Sequence, residues 1–151
     1  MIKIITVGQI KEKYLKDAIE EYSKRLKKYT ALELIEVKDE GLLPPTQTIE
    51  KEAEKIKKHI HEKDYIITLE IEGKELTSEE FSKKIEDIMI INSNITFIIG
   101  GSYGIDKSIK ELAKVHLSFS KMTFPHQLFR VLLLEQIYRA FKIMNNESYH
   151  K

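Results

Sequence analysis

Five short runs of β-branched and apolar residues recur along this chain, and a stretch with helical spacing separates each from the next. The runs are "IKIITV" (Ile2 to Val7), "LELIEV" (Leu32 to Val37), "YIITLEI" (Tyr65 to Ile71), "ITFII" (Ile95 to Ile99) and "VHLSF" (Val115 to Phe119). All have strand length and read as buried rather than alternating. Strands of that kind, alternating with helices, predict an α/β fold: a mainly parallel sheet covered by helices on both faces. With 151 residues, six glycines and three prolines, there is little room for linkers, and the expectation is a single domain over residues 1–151.

The helical stretches carry their own marks. Tyr14, Leu15, Ala18, Ile19, Tyr22, Leu26 and Tyr29 share one helix face, and Ile49, Ala53, Ile56 and Ile60 share another. The third helix opens with "LTSEEF", where Thr77 and Glu80 form a capping box and Leu76 and Phe81 a hydrophobic staple. A short helix follows from about Asp106 to Ala113, and Pro125 sits at the first turn of a long last helix. That last helix is apolar around most of its circumference, through Leu128, Val131, Leu132, Leu134, Ile137, Phe141 and Met144. A helix lying on one sheet needs a single apolar side, so the surplus predicts a subunit interface and a two-fold homodimer.

Ligands of parallel sheets bind at the carboxyl ends of the strands. The rule nominates four loops: Gly8 to Gln9, Glu72 to Glu75, Gly100 to Ile105, and Ser120 to Phe124. In "IIGGSYGID" a strand, glycines and a helix follow one another as in a phosphate loop, but neither GxxxxGK[ST] nor GxGxxG is present. The reading left is a close-approach loop for an uncharged or zwitterionic ligand, or a plain tight turn. The same letters match G-x-S-x-G around Ser102, with Glu111 and His116 or Glu135 and His150 in triad order, which keeps a serine hydrolase open as an alternative. The five histidines have no metal-ligand spacing, so no metal is expected. His126, just after Pro125, is expected to face a site, and His116 to lie inside or near its strand. The terminal Tyr149, His150 and Lys151 pair an aromatic, an imidazole and a cation, suited to a base and a phosphate, unless the tail simply frays.

The formal net charge of +1 hides an uneven distribution. Residues 1–30 carry eight Lys/Arg against four acids, residues 31–90 nine against sixteen, and residues 91–151 eight against four. Basic ends around an acidic middle allow a positive face for a polyanion. No cysteine means no disulfide framework and no thiolate nucleophile or metal site, which suits a reducing compartment. No apolar run is long enough for a signal peptide or a membrane span, so a cytoplasmic protein away from membranes is expected.

"IIGGSYG" followed by "LSFSKMTFPHQLFRVLLLEQIYRAFKIMNNESYHK" strongly resembles the RlmH family of 23S rRNA methyltransferases, a branch of the SPOUT superfamily. The resemblance runs from "ITVGQIKEKY" to "YHK". It implies a SPOUT-type fold with a C-terminal trefoil knot, S-adenosyl-L-methionine as cofactor and a homodimer. It also implies methylation of N3 of a pseudouridine in 23S rRNA within the assembled ribosome. The implied cofactor residues are Leu69, Gly100, Phe119, Ser120, Lys121, Met122, Thr123 and Phe124, with Gly101 and Gly104 shaping the turn. A loop rich in apolar side chains and poor in charge suits a cofactor held by main-chain contacts and apolar walls. For the proton on N3 the expected acceptor is His150, with Tyr149 positioning the base and His126 as the rival. Arg139, Lys142 and Lys151 are the expected rRNA phosphate contacts, and Arg130 a lesser one. Many relatives end in arginine where this chain has Lys151. A catalytically idle ribosome-binding module is the other reading, against which the intact glycines and the complete "SFSKMTFPHQ" speak.

Overall fold

Ile2, Ile4, Tyr65, Ile67, Leu69, Ile95, Phe97 and Ile99 pack on one side of a sheet, and Ile5, Val7, Ile66 and Ile98 on the other. In the computed structural model, which describes residues 1–151, this double-sided pattern forms one five-stranded sheet. Its strands are β1 (Ile2–Val7), β2 (Leu32–Val37), β3 (Tyr65–Glu75), β4 (Ile95–Ile99) and β5 (Val115–Ser118). Their order is β2-β1-β4-β3-β5, and every neighbouring pair is parallel. Helices α1 (Lys13–Leu26), α3 (Ser78–Ile91) and α5 (His126–Met144) cover the first face; α2 (Pro45–Lys57) and α4 (Lys107–Lys110) cover the second. The expected α/β class, a parallel sheet covered on both faces, is the one observed.

The local marks explain the element ends. Thr77 caps α3, its hydroxyl accepting the Glu80 N–H at 3.1 Å, and Asp106 caps α4 by accepting the Ser108 N–H at 3.0 Å. Pro125 occupies the N-cap of α5, where its missing N–H is no loss. On the second face a buried ion pair joins the bottom of β1 to the turn before β3: Lys3 Nζ lies 3.0 Å from Asp64 Oδ2 and donates to the His59 carbonyl at 2.7 Å. Burial alone would raise the Asp64 carboxyl, but the His61 amide and the Lys3 ammonium outweigh it and hold it below the ordinary aspartate range.

Three boundaries differ from the sequence expectation. Strand β3 does not end at Ile71 but continues to Glu75, so Glu72 to Glu75 is no loop. Leu69 and Lys74 both face Leu117 of β5, which leaves Glu70 to Gly73 bulged out between them. Polar residues in such a bulge carry no strand periodicity, which is why the extension is invisible in the sequence. Gly73 is needed there, since a Cβ would lie 2.7 Å from the Leu117 carbonyl carbon. Helix α4 is a single turn, and β5 stops at Ser118, one residue before Phe119.

Helix α5 accounts for most of its own apolar surplus. It lies on the sheet between α1 and α3, so Leu133, Leu134, Ile137 and Ala140 are fully enclosed. Ser82 of α3 donates to its Ala140 carbonyl at 2.8 Å. Leu128 remains exposed on the outer side, with Val131 and Leu132 half-buried beside it. No helix is long and apolar enough to cross a membrane.

Candidate active site

The sheet order creates a break in direction between β1 and β4: the chain steps from β1 outward to β2, crosses the second face to β3, and fills the other half with β3, β4 and β5. At the carboxyl ends of that second half lies a cavity of about 430 Å³. Its walls come from β3 at its bulge (Leu69 to Glu72), the end of β4 and its turn (Ile99 to Ile105), the end of β5 and its loop (Leu117 to Ser120 and Met122 to Phe124), and the first turn of α5 (His126 and Phe129). The volume is that of a site for a small organic ligand or cofactor.

Close backbone approach shapes the floor. A Cβ on Gly100 would lie 2.6 Å from the Gly104 carbonyl oxygen, so no side chain fits there. Gly104 turns the chain back with φ +89°, and its N–H reaches the Gly101 carbonyl at 3.1 Å. Gly101 backs onto Val7 and the buried carboxyl of Glu52, which burial pushes up from its ordinary value. Aromatic rings make the opposite wall: Phe119 packs edge-on to Phe129 at 5.0 Å and to Phe81 at 6.3 Å, and Phe124 stacks on Phe129 at 6.1 Å. Ser118 Oγ donates to the Ser120 carbonyl at 3.1 Å and Ser120 Oγ accepts the Met122 N–H at 3.0 Å, fixing the loop between them.

Of the residues named in advance, Leu69, Gly100, Gly101, Gly104, Phe119, Ser120, Met122, Thr123, Phe124 and His126 all line this cavity. Lys121 does not; it is exposed at the outside of the loop. Other wall residues carry no motif. Glu70 stands on the bulge of β3, where Thr68 donates to it at 2.6 Å, His116 Nδ1 approaches it and Lys110 lies 3.3 Å away. Burial opposes these contacts, yet together they hold the Glu70 carboxyl below the usual range. His116 is thus an exposed partner of Glu70 rather than a packed strand residue. Phe129 could have been found from the helical spacing, three residues after His126 on the same face.

His126 stands at the rim. Partial desolvation, and then the positive charge of Arg130, pull its imidazole below its ordinary value, against the opposing pull of Asp39. The lowering favours the neutral imidazole, the form able to accept a proton. Arg130 itself is buried: its Nη1 donates to Glu36 at 2.6 Å and its Nη2 to the Val7 and Gly8 carbonyls at 3.0 and 2.8 Å. It is a brace between α5 and the ends of β1 and β2, not an external contact.

Tyr149 and His150 are not in the cavity of their own chain. The tail is folded back on the far end of α5, about 20 Å along the helix from His126 at 1.5 Å per residue. Tyr149 packs edge-on against Tyr138 at 4.9 Å, donates to Glu135 at 3.2 Å and lies under the Arg139 guanidinium at 4.7 Å. Burial, with Glu135 next to it, pushes the Tyr149 phenol up to about 12, so it stays protonated. Arg139 donates to His150 Nδ1 at 3.1 Å, and His150 Nε2 lies 2.7 Å from Glu79. Arg139 is further held by Glu135 at 2.7 Å, and Lys142 by Glu147 at 2.8 Å, with Tyr29 donating to the same carboxylate at 2.9 Å. Both cations are occupied in stapling the tail, while Lys151 is exposed.

The serine hydrolase alternative has no geometry behind it. His116 is held by Glu70 and Thr68, His150 by Arg139 and Glu79, Glu111 by Lys107 and Glu135 by Arg139, so neither ordered pair forms a triad with Ser102. No group of three or more histidines and acids is placed to hold a metal ion.

A family model described as "Predicted SPOUT methyltransferase" matches residues 1–150. Proteins named ribosomal RNA large subunit methyltransferase H from Clostridium botulinum, Clostridium perfringens and Ruminiclostridium cellulolyticum are 54%, 53% and 51% identical to this chain. Each match covers 99% of this chain and 99% of the relative. The chain therefore belongs to the SPOUT methyltransferases, and within them to the ribosomal RNA large subunit methyltransferase H family.

Proposed function

We propose that this protein is an S-adenosyl-L-methionine-dependent methyltransferase that modifies N3 of a pseudouridine in 23S rRNA, acting on the assembled ribosome in the cytoplasm. The observation that carries the reading is a cavity with a glycine-turn floor and aromatic and aliphatic walls, with the His126 imidazole at its rim, in a chain of this family. The residues fit the cofactor: Gly100 and Gly104 leave main-chain donors and acceptors accessible, Leu69, Ile99 and Leu117 with Phe119, Met122 and Phe124 supply apolar walls, and the Glu70–Lys110 pair offers both signs of charge to a zwitterion at the lip. When bound, S-adenosylmethionine supplies an electrophilic methyl group on a sulfonium.

The remaining work falls to the chain. An imide N3–H is weakly acidic, and a neutral imidazole at the rim takes its proton as the nitrogen lone pair becomes the nucleophile. Within one subunit that imidazole is His126. Tyr149 and His150, fixed on the far end of α5, meet a cavity only from the second subunit of a homodimer, joined through the outer strip of Leu128, Val131 and Leu132. We keep Lys151 as an rRNA contact and assign Arg139 and Lys142 to holding the tail. The segment from Phe119 to Pro125, which returns the chain from the β5 edge toward β1, is where we place the trefoil knot.

The test incubates the protein with labelled cofactor and ribosomes lacking the modification, then maps the labelled nucleotide. Label at N3 of one pseudouridine of the large-subunit rRNA supports the reading; absence of cofactor binding in a calorimetric titration at millimolar ligand overturns it. Mixed dimers, with His126→Gln in one chain and a tail truncated before Ser148 in the other, regain activity at one site only if the site is shared.

A further inference from the structure

A second depression lies on the other side of the break between β1 and β4. It opens at the carboxyl ends of β1 and β2, has a volume of about 630 Å³, and shares Gly101, Ser102 and His126 with the first cavity. The two spaces are therefore neighbours across one turn of chain. Their linings differ: aromatic and aliphatic side chains make about half of the first, whereas this groove presents Gln9, Lys11, Glu36, Lys38, Asp39 and Gln127, with Val7 and Val37 its apolar side chains.

We propose that this groove holds the acceptor nucleotide, presenting an imide-containing base to the shared wall while Lys11 and Lys38 take the flanking phosphates. The inference rests on the methyltransferase reading above. In-line transfer requires the acceptor atom to come within contact distance of the donor, so the acceptor enters through space contiguous with the cofactor cavity. This groove is such a space, and its chemistry matches a nucleotide. An imide has a carbonyl on each side of N3. Amide NH₂ groups can donate to those carbonyls and leave N3 itself unblocked. Gln127 Oε1 already accepts the Lys11 main-chain N–H at 3.3 Å, so its NH₂ is the end left to present, and Gln9 is exposed beside it. The N3 proton passes to His126, which lines the groove together with Asp39.

The cations agree with this assignment. Lys11 and Lys38 are exposed and in no ion pair, in contrast to Arg139 and Lys142, which carboxylates hold within the chain. Hydrogen bonds within the chain also hold one side of the groove. Gly8 takes φ +91°, its carbonyl is held by buried Arg130, and the Ile10 N–H donates to Glu36 at 2.8 Å. The loop from Gly8 to Lys11 is thereby tied to β2 and α5 at once, which lowers the ordering cost of recognition.

The test compares wild type with the double variant Lys11→Ala/Lys38→Ala and with Gln127→Ala, using ribosomes that lack the modification as substrate. All three sites sit on the rim, outside the core. We expect the double variant to raise KM for ribosomes about tenfold and to lower the slope of log KM against log salt by about two, one for each lysine removed. Affinity for S-adenosylmethionine, measured by calorimetry, stays at the wild-type value. Gln127→Ala lowers kcat/KM at unchanged salt slope. Unchanged KM and slope in the double variant, with active wild type, overturn the groove and leave the methyltransferase reading standing; so does a loss of activity that tracks a loss of cofactor affinity. Wild type that neither binds the cofactor nor methylates ribosomes overturns the methyltransferase reading instead.

Discussion

Gly100 and Gly104 adjoin in the same turn but resist substitution for different reasons. At Gly100 the obstacle is backbone, 2.6 Å from an added Cβ, so Gly100→Ala must move the turn and is expected to cost about 1–3 kcal/mol of stability and most of the cofactor affinity. At Gly104 nothing lies within 4 Å and only the torsion opposes a side chain, so Gly104→Ala is expected to cost about 1–2 kcal/mol with affinity largely kept. Chemical denaturation with calorimetric titration separates the two. His126 makes a pH prediction. Its folded value lies below the ordinary histidine value, and the neutral form is active, so kcat/KM should hold through neutral pH and fall only as acidification passes that lowered value. In His126→Gln that acid limb should vanish and kcat should drop about 10²–10⁴-fold. At this scale the sequence was informative wherever a residue is unusual for its place, as with glycines after a strand or a histidine after a helix-starting proline. It was silent on Glu70, and it named Lys121 for the cofactor and Lys142 for rRNA, where the structure turns Lys121 outward and pairs Lys142 with Glu147; which way a side chain leaves a loop and which carboxylates come near are not local signals.

Elements were legible where their signals are local. Capping at Thr77, the proline before α5 and the apolar faces of α1 and α2 follow from neighbours within a turn or two, although Tyr14, expected on the face of α1, is exposed. The bulge of β3 was not, because its cause is the register against β5, some 45 residues later. The tail illustrates the same limit: a frayed end and a stapled one have the same letters until Glu135, Tyr29 and Glu79 are brought next to them. The staple is testable. Glu147→Gln removes the carboxylate that holds both Lys142 and the Tyr29 hydroxyl, and amide exchange of residues 145–151 should accelerate while that of the sheet does not change. Lys142 foremost, then the Tyr29 hydroxyl, hold the Glu147 carboxyl below its ordinary value, so its contribution is present above the unfolded value and lost as pH falls through the folded one. The tail should therefore loosen in acid before the sheet does.

For the whole molecule, the parallel α/β class was readable from alternation alone, but the strand order was not, since nothing local says that β2 connects across the sheet to β3. The long connection also explains the buried Lys3–Asp64 pair, which joins the first strand to the turn that opens the second half of the sheet. Asp64→Asn leaves the Lys3 ammonium buried without its charge partner and should cost about 3–5 kcal/mol in a urea titration, while Lys3→Met with Asp64→Leu should recover most of it. The outer strip of α5 predicts association: Leu128→Glu with Leu132→Glu should give monomers by sedimentation that still unfold cooperatively. The interior position of β1, second from the sheet edge, bears on how the protein is made. Its two edges are filled by β2 and by β4, and the second of these lies some 90 residues downstream. As the chain leaves the ribosome, β1 and β2 can pair early, but the inner edge of β1 stays open until Ile95–Ile99 has emerged and slots between β1 and β3. Such distant pairing makes folding slow, leaves an unpaired edge during synthesis, and places the decisive event late in translation.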